Sequence, residues 1–424
     1  LRRHADANLA MMLSSLRLFQ FRNFANQEIT MRPGLCFFVG RNGQGKTNLL
    51  ESVFMLSRGE SFRPAQHDHF LRNSDPDQFS SERARVVGGF QTPLGKQTLT
   101  LDFSEGRRSI NLDGKRTGFS TTSALFPVVL FSPESLAAIK EGPDQRRQLI
   151  DSVLTTRSER DSKLLREFTK TLRARNILLK QISGGDARVT TRDSLESLTT
   201  VFLLLATQVT EARLNVLREL APEMRRSASR IFGGAPRLPL INSADGFASE
   251  ELNVRFAYEI SGSDALDWSA NQIFDALSQR RTELERREIE YGASLVGPQK
   301  HDLRVMFNDN DSRFYCSQGQ QRALILAFKI AQINVHHSTL GRYPILLLDD
   351  VMSELDADKR SRLMEYLEQT NAQVLITATD LTWSQKFSHE RNAVFTVENG
   401  SVTLAASSAV RAVGVSNMLE DAAT

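Results

Sequence analysis

The chain has 424 residues, 40% hydrophobic and 24% charged, which is the make-up of an ordinary globular protein of two or three domains. Cys36 and Cys316 lie too far apart for metal or disulfide spacing and favour a reducing cytosol, and no apolar run approaches the roughly 20 residues of a membrane span, so no membrane partner is expected. The net charge of +3 is small, but residues 146–237 hold 18 Lys and Arg against 10 Asp and Glu, an imbalance that alone reads as a solvated helical face and, taken with the motifs below, favours a phosphodiester partner.

Residues 1–12 carry both charge signs and no apolar core, so they read as a disordered extension and not as a signal peptide. Residues 13–21 and 27–31 read as strands, and the apolar run at 35–39 suits a buried parallel strand. Next comes Gly40-Arg41-Asn42-Gly43-Gln44-Gly45-Lys46-Thr47, which fits the G-x-x-x-x-G-K-[ST] pattern of a phosphate-binding loop. Leu49, Leu50, Val53, Phe54 and Leu56 then recur at helical spacing, so the loop is expected between strand and helix. Glycines let backbone N–H groups turn inward around phosphate oxygens, and the helix adds free N–H donors and the positive end of its dipole. This pattern predicts a nucleotide ligand, with Lys46 on the β/γ-phosphates and the Thr47 hydroxyl on Mg²⁺.

Residues 63–81 are polar and irregular; 86–90, 98–103 and 109–112 read as strands, the last ending in an Asp113-Gly114 turn. A further apolar strand at 126–131 stops at Ser132-Pro133. Residues 143–233 are patterned as two long helices joined near Gly184-Gly185. Leu164, Leu165, Phe168 and Leu172 share one face, and Leu214, Leu217 and Leu220 another. Val254, Phe256, Tyr258 and Ile260 alternate as a strand, and 273–289 is a helix with charge along most of its surface. From Gly292 strands return, then a helix at 318–334, an apolar strand at 344–348, and two last strands at 374–378 and 394–397. Residues 405–424 lack periodicity and read as a loose tail.

Two more sites stand out. Asp349 and Asp350 end the apolar strand Ile345-Leu346-Leu347-Leu348, at the carboxyl edge where α/β sheets bind ligands. Asp349 is expected to hold Mg²⁺ through water, and Asp350 to stand where a longer general base usually activates water, which predicts slow hydrolysis. Ser317-Gln318-Gly319-Gln320-Gln321 precedes an apolar helix, with Ser317 as its N-cap and Gly319 allowing an anion to approach. In this order the three sites look like the loop, signature and acidic strand of ABC-type ATPases, and Ser353-Glu354-Leu355-Asp356 resembles the D-loop. That likeness implies a head-to-tail homodimer in which Ser317, Gly319 and Gln320 complete the nucleotide site of the opposite subunit.

The chain resembles the RecF family of bacterial recombination and repair ATPases. The resemblance rests on Leu18-Phe19-Gln20-Phe21-Arg22-Asn23-Phe24, Gly59-Glu60-Ser61-Phe62-Arg63, Phe131-Ser132-Pro133-Glu134, Gly142-Pro143 with Arg146-Arg147, Arg175-Asn176-Ile177-Leu178-Leu179-Lys180 and Leu348-Asp349-Asp350-Val351. Where that family usually reads Gly-Pro-His-Arg-Asp-Asp, this chain has Gly297-Pro298-Gln299-Lys300-His301-Asp302, and its extreme ends are also unlike the family. The resemblance implies an α/β fold, an ABC-type ATPase head with an added antiparallel sheet, and a mostly helical second lobe. On that basis the head comprises residues 13–142 and 291–404 and the lobe residues 143–290. It further implies ATP-driven dimerisation on DNA and work with RecO and RecR to place RecA on gapped DNA coated with single-strand-binding protein, in the cytoplasm at the nucleoid. Arg146, Arg147, Arg173, Arg175 and Lys180 are the candidate DNA contacts.

Two other classes share the motifs. In a transporter ATPase the signature follows the loop much sooner than the about 270 residues between Lys46 and Ser317. In an SMC-like protein the interruption is a long coiled coil with sustained heptads, which this insertion lacks.

Overall fold

The computed structural model describes residues 11–63, 67–72, 83–104, 106–185, 188–233, 252–380 and 391–405. In chain order these form β1 (Met12–Phe21), β2 (Phe24–Thr30), β3 (Leu35–Val39), α1 (Lys46–Arg58), β4 (Arg83–Thr92), β5 (Gly95–Ser104), β6 (Arg107–Leu112), β7 (Lys115–Thr117), α2 (Phe119–Leu125) and β8 (Val128–Phe131). There follow α3 (Pro133–Leu136), α4 (Pro143–Arg157), α5 (Glu159–Ser183), α6 (Val189–Phe232), β9 (Val254–Ile260), β10 (Ser263–Asp264), α7 (Ala270–Tyr291), β11 (Asp302–Phe307), β12 (Asn310–Asp311), α8 (Ser312–Tyr315) and α9 (Gln318–Leu340). The chain closes with β13 (Ile345–Leu348), α10 (Ala357–Gln369), β14 (Val374–Ala378), β15 (Ala393–Glu398) and β16 (Ser401–Leu404).

The chain divides into two compact units, residues 1–133 with 336–424, and residues 134–335. The first holds two six-stranded sheets. One has the order β16-β15-β3-β14-β13-β8, parallel except for the β15–β16 hairpin. Its inner strands β3, β14 and β13 are covered on both faces: Leu35–Val39, Val374–Ala378 and Ile345–Leu348 are buried throughout. The other sheet, β2-β1-β4-β5-β6-β7, is antiparallel and alternates, with Ala84, Val86, Leu99, Leu101 and Phe103 turned inward. Asp113 and Gly114 both take positive φ in its β6–β7 turn, the two-residue geometry that matches strand twist. One buried cluster draws on both sheets and on Leu49, Leu50, Val53 and Leu56 of α1. The Gln373 amide joins the sheets as a surrogate strand: it accepts from Leu13 N–H and donates to the Leu13 and Arg32 carbonyls, each at 2.8 Å.

The second unit packs long helices around the antiparallel sheet β10-β9-β11-β12. Leu214, Leu217 and Leu220 are fully buried on α6, and Phe168 of α5 meets Phe202 of α6 with ring centroids 5.7 Å apart. The α/β class, the antiparallel sheet and the helical second lobe are those expected.

Several sequence expectations are corrected. The units break at 133/134 and 335/336 instead of 142/143 and 290/291. The cause is pairing: β11 joins β9, and Phe328 of α9 packs edge-on against Phe256 of β9, so both follow the helical unit. Three helices, not two, fill residues 143–233, because Ser158 ends α4 and caps α5 by accepting from Asp161 N–H. Helix α9 runs six residues past the expected end, to Leu340, and β16 follows the two strands expected to be last. Met11 is buried and Met12 opens β1, so the expected extension does not include them; residues 1–10 and 406–424 lie outside the described residues. Among the described residues no helix is long and apolar enough to cross a membrane.

Candidate functional site

The phosphate-loop pattern lies between β3 and α1, where two glycines take the left-handed region, Gly43 at φ 82° and Gly45 at φ 110°. Gly40 is required for a different reason: a Cβ there would lie 2.2 Å from the Val397 carbonyl oxygen of β15. Gly45 is the N-cap of α1 and offers no side chain, so no side-chain cap competes for the helix's first N–H groups. Lys46 folds over the loop, its Nζ donating to the Gly40 carbonyl at 2.5 Å and the Arg41 carbonyl at 2.9 Å. Burial lowers its pKa, and the nearby Asp350 and Asp349 carboxylates oppose that shift.

The acidic strand end reaches the same place. Thr47 Oγ1 donates to Asp349 Oδ1 at 3.0 Å, and Thr377 Oγ1 from the end of β14 donates to the same oxygen at 2.9 Å. Asp349 is buried, and desolvation raises its pKa against the pull of those two hydroxyls and Arg63. Asp350 is half-buried, adopts φ 50°, and donates its N–H to Thr377 Oγ1 at 2.9 Å. Ser353 Oγ caps the turn by donating to the Asp350 carbonyl at 2.7 Å, and Asp356 caps α10. A hydroxyl and a buried carboxylate oxygen are the hard donors Mg²⁺ takes, and it completes its shell with phosphate and water. Thr47 and Asp349 fit that ion, whereas no cluster of three or more His, Cys, Asp or Glu ligands exists among the described residues.

Ser317, Gly319 and Gln320 belong to the second unit. Ser317 caps α9 reciprocally: its Oγ accepts from Gln320 N–H at 3.2 Å, and its N–H donates to Gln320 Oε1 at 2.8 Å. Ser317 and Gly319 are exposed.

The candidate DNA contacts separate sharply. Arg146 is buried, donating through Nε and a terminal nitrogen to both Asp302 oxygens at 2.8 and 2.9 Å. Arg147 is buried against the His301 carbonyl and Asp144. Arg175 is 2% exposed and holds Glu288, Ser294 and Thr199 at 2.6, 2.7 and 3.0 Å. A guanidinium committed in this way cannot meet a phosphate, so these three leave the candidate set. Arg173 and Lys180 are exposed on α5.

Other residues of the site carry no sequence assignment. Glu51 of α1, fully buried, accepts from Arg22 at 2.9 and 2.7 Å, from Arg63 at 2.8 Å and from Ser61 at 2.5 Å. Arg22, Ser61 and Arg63 fall in stretches that resemble the family, but only Glu51, an acid in mid-helix among apolar residues, signals a buried partner. Thr377 has no such signal, since a threonine near a strand end is ordinary. The unusual His301 is buried, its Nδ1 3.2 Å from the Tyr258 hydroxyl; burial, then Arg213 and Arg147, depress its pKa to about 3.

A family model described as the RecF/RecN/SMC N terminal domain matches residues 12–403. The DNA replication and repair protein RecF of Lacticaseibacillus paracasei is 33% identical over 396 residues, covering 93% of this chain and 100% of that one. The chain belongs to the RecF family. RecF of Heliobacterium modesticaldum is 34% identical over 398 residues, covering 93% of this chain and 99% of its own. A solved structure described as the recombination mediator protein RecF with ATP, in the RecFOR pathway, is similar with TM-score 0.79 and 27% identity, covering 95% of this chain and 100% of that one. An Smc head domain from Pyrococcus furiosus, at 14% identity and TM-score 0.52, shares the fold.

Proposed function

We propose that this protein is an ATP-dependent DNA-binding repair ATPase that dimerises on DNA. With RecO and RecR it would help place RecA on gapped DNA coated with single-strand-binding protein. The observation that carries the nucleotide part is the 3.0 Å bond between Thr47 and Asp349, which brings the loop and the acidic strand to one point in a family with an ATP-bound relative.

On ATP binding, Lys46 exchanges its two loop carbonyls for β/γ-phosphate oxygens, and the loop N–H groups take the remaining charge. Thr47, with Asp349 acting through water, would hold Mg²⁺, which would supply charge neutralisation on the phosphate oxygens. Asp350 accepts the proton of the attacking water while the γ-phosphorus forms its new bond to that water oxygen and loses its bond to the ADP oxygen. Its short side chain makes this step slow. In the dimer, Ser317, Gly319 and the α9 N-terminus close on the γ-phosphate held by the other copy. Arg173 and Lys180, seven residues apart on one face of α5 with Lys170, contact DNA phosphates without reading sequence.

Purified protein is tested for binding to gapped, duplex and single-stranded DNA with ATP, ADP and no nucleotide. DNA affinity and dimer mass that rise together with ATP alone support the proposal; DNA binding indifferent to nucleotide overturns it.

A further inference from the structure

A phosphate loop works only if its peptide N–H groups point inward, and a chain of directional bonds in the first unit fixes one of them. Arg63 donates from Nη2 to Glu51 and to Asn48 Oδ1, the latter at 2.7 Å. Guanidinium has no acceptor, so Asn48 must turn its amide oxygen to Arg63 and its Nδ2 the other way. That Nδ2 donates to Asn23 Oδ1 at 2.9 Å. Asn23 is thereby oriented in turn, and its Nδ2 donates to the Gln44 carbonyl at 2.9 Å. The Gly400 N–H reaches the same carbonyl at 3.2 Å.

Two donors therefore hold the Gln44 carbonyl on the outer side of the loop. In a planar trans peptide the carbonyl of one residue and the N–H of the next point in opposite directions. The Gly45 N–H is thus aimed into the cradle. The packing leaves little freedom for another arrangement: a Cβ on Gly45 would lie 2.4 Å from Asn23 Nδ2, and one on Gly400 2.3 Å from the Asn23 carbonyl oxygen. The Gln44 side chain adds a second fastening, its Oε1 accepting from Asn399 N–H at 2.6 Å.

We propose that Asn23 and Asn48 are positioning residues for nucleotide binding, which set the direction of the Gln44–Gly45 peptide unit through a relay that begins at Arg63. The inference rests on the nucleotide-site reading above. It assigns the β1–β2 turn to the site through the bond from Asn23 to the Gln44 carbonyl.

The test is titration of ATP and ADP into wild type, Asn23→Asp, Asn48→Asp and Lys46→Ala. Asn23→Asp keeps the acceptor for Asn48 but cannot donate to Gln44. Its affinity for both nucleotides falls about 3- to 10-fold, as loss of one aligned bond gives, with KM raised likewise, kcat at saturation unchanged and the melting temperature without nucleotide held. Asn48→Asp keeps the acceptor for Arg63, loses the donor to Asn23 and shows the same pattern; it carries the test should Asn23→Asp fail to fold. Wild-type affinity in the folded Asp variants, or a loss confined to kcat, overturns the relay. Lys46→Ala separates the two levels: if it too binds ATP at wild-type affinity, the nucleotide site itself is wrong, whereas loss there with intact Asn23→Asp sinks the relay alone.

Discussion

Thr47 and Asp349 stand 302 positions apart in sequence, yet their side chains meet at 3.0 Å, and Asp349 shares the same oxygen with Thr377. Asp350, one residue on, is tied to Thr377 through its backbone N–H, and among the described residues no such bond reaches its carboxylate. The two acids are therefore expected to do different work. Asp349→Asn weakens Mg²⁺-dependent ATP binding and turnover together, while Asp350→Asn leaves ATP binding intact and stops turnover, since only the proton acceptor is lost. Calorimetric ATP binding with and without Mg²⁺, beside steady-state hydrolysis, checks this; identical behaviour of the two variants refutes the division.

Ser317→Arg places a cation at the N-terminus of α9, against the helix dipole and in the seat proposed for the other copy's phosphate. ATP affinity of the monomer stays at the wild-type level and the ATP-dependent dimer disappears. Light scattering with and without ATP reads it, and wild-type dimerisation of the variant rejects a site completed in trans.

Reversing Arg173 and Lys180 to Glu lowers affinity for unrelated duplexes by similar factors and flattens the log–log salt dependence by about 0.9 for each phosphate no longer neutralised. Arg175, two residues from Arg173, behaves in the opposite way. Arg175→Met strands Glu288 in the core and costs about 3–5 kcal/mol of stability, with DNA affinity per folded molecule unchanged. Fluorescence anisotropy across a salt series and denaturant unfolding on the same preparations separate the two effects. An unchanged slope in the double reversal moves the DNA surface elsewhere.

His301 gives a pH dependence with a definite sign. Its folded pKa of about 3 lies below the ordinary value of 6.5, so between those values the unfolded chain binds the extra proton and the folded chain does not. Stability from this group is complete above pH 6.5 and lost as pH falls, by about 2 kcal/mol at pH 5. Denaturant unfolding at pH 7.5 and pH 5.0, compared with His301→Gln, isolates the contribution; equal losses in both proteins assign the acid sensitivity to other groups.

The strands and the loop were legible in the sequence because their signals are local. Leu35–Val39 and Ile345–Leu348 are apolar on both faces, Val374–Ala378 is so but for Thr377, and the glycines and capping serine keep fixed offsets. Charge was not legible in the same way, since an arginine count says nothing of where each side chain points. Arg175 carried a warning: it lies seven residues after the buried Phe168 and four before the buried Leu179, on the inner face of α5. Arg146 carried none, because its partner Asp302 sits on a strand 156 positions away. The misplaced unit boundaries have the same origin, as no local pattern announces that β11 pairs with β9.

The position of β3 in its sheet has a consequence for how the chain is made. Both neighbours of this strand, β14 and β15, come from the last part of the sequence, beginning at Val374, while β3 itself ends at Val39. At about 5–20 residues per second, the ribosome needs on the order of 15–70 s to supply them. Throughout that time the apolar strand and its glycine loop lack both of the strands between which they finally lie. A chain cut short before Val374 lacks both partners of β3 and the Thr377 hydroxyl that holds Asp349, so truncated products of synthesis are expected not to bind ATP.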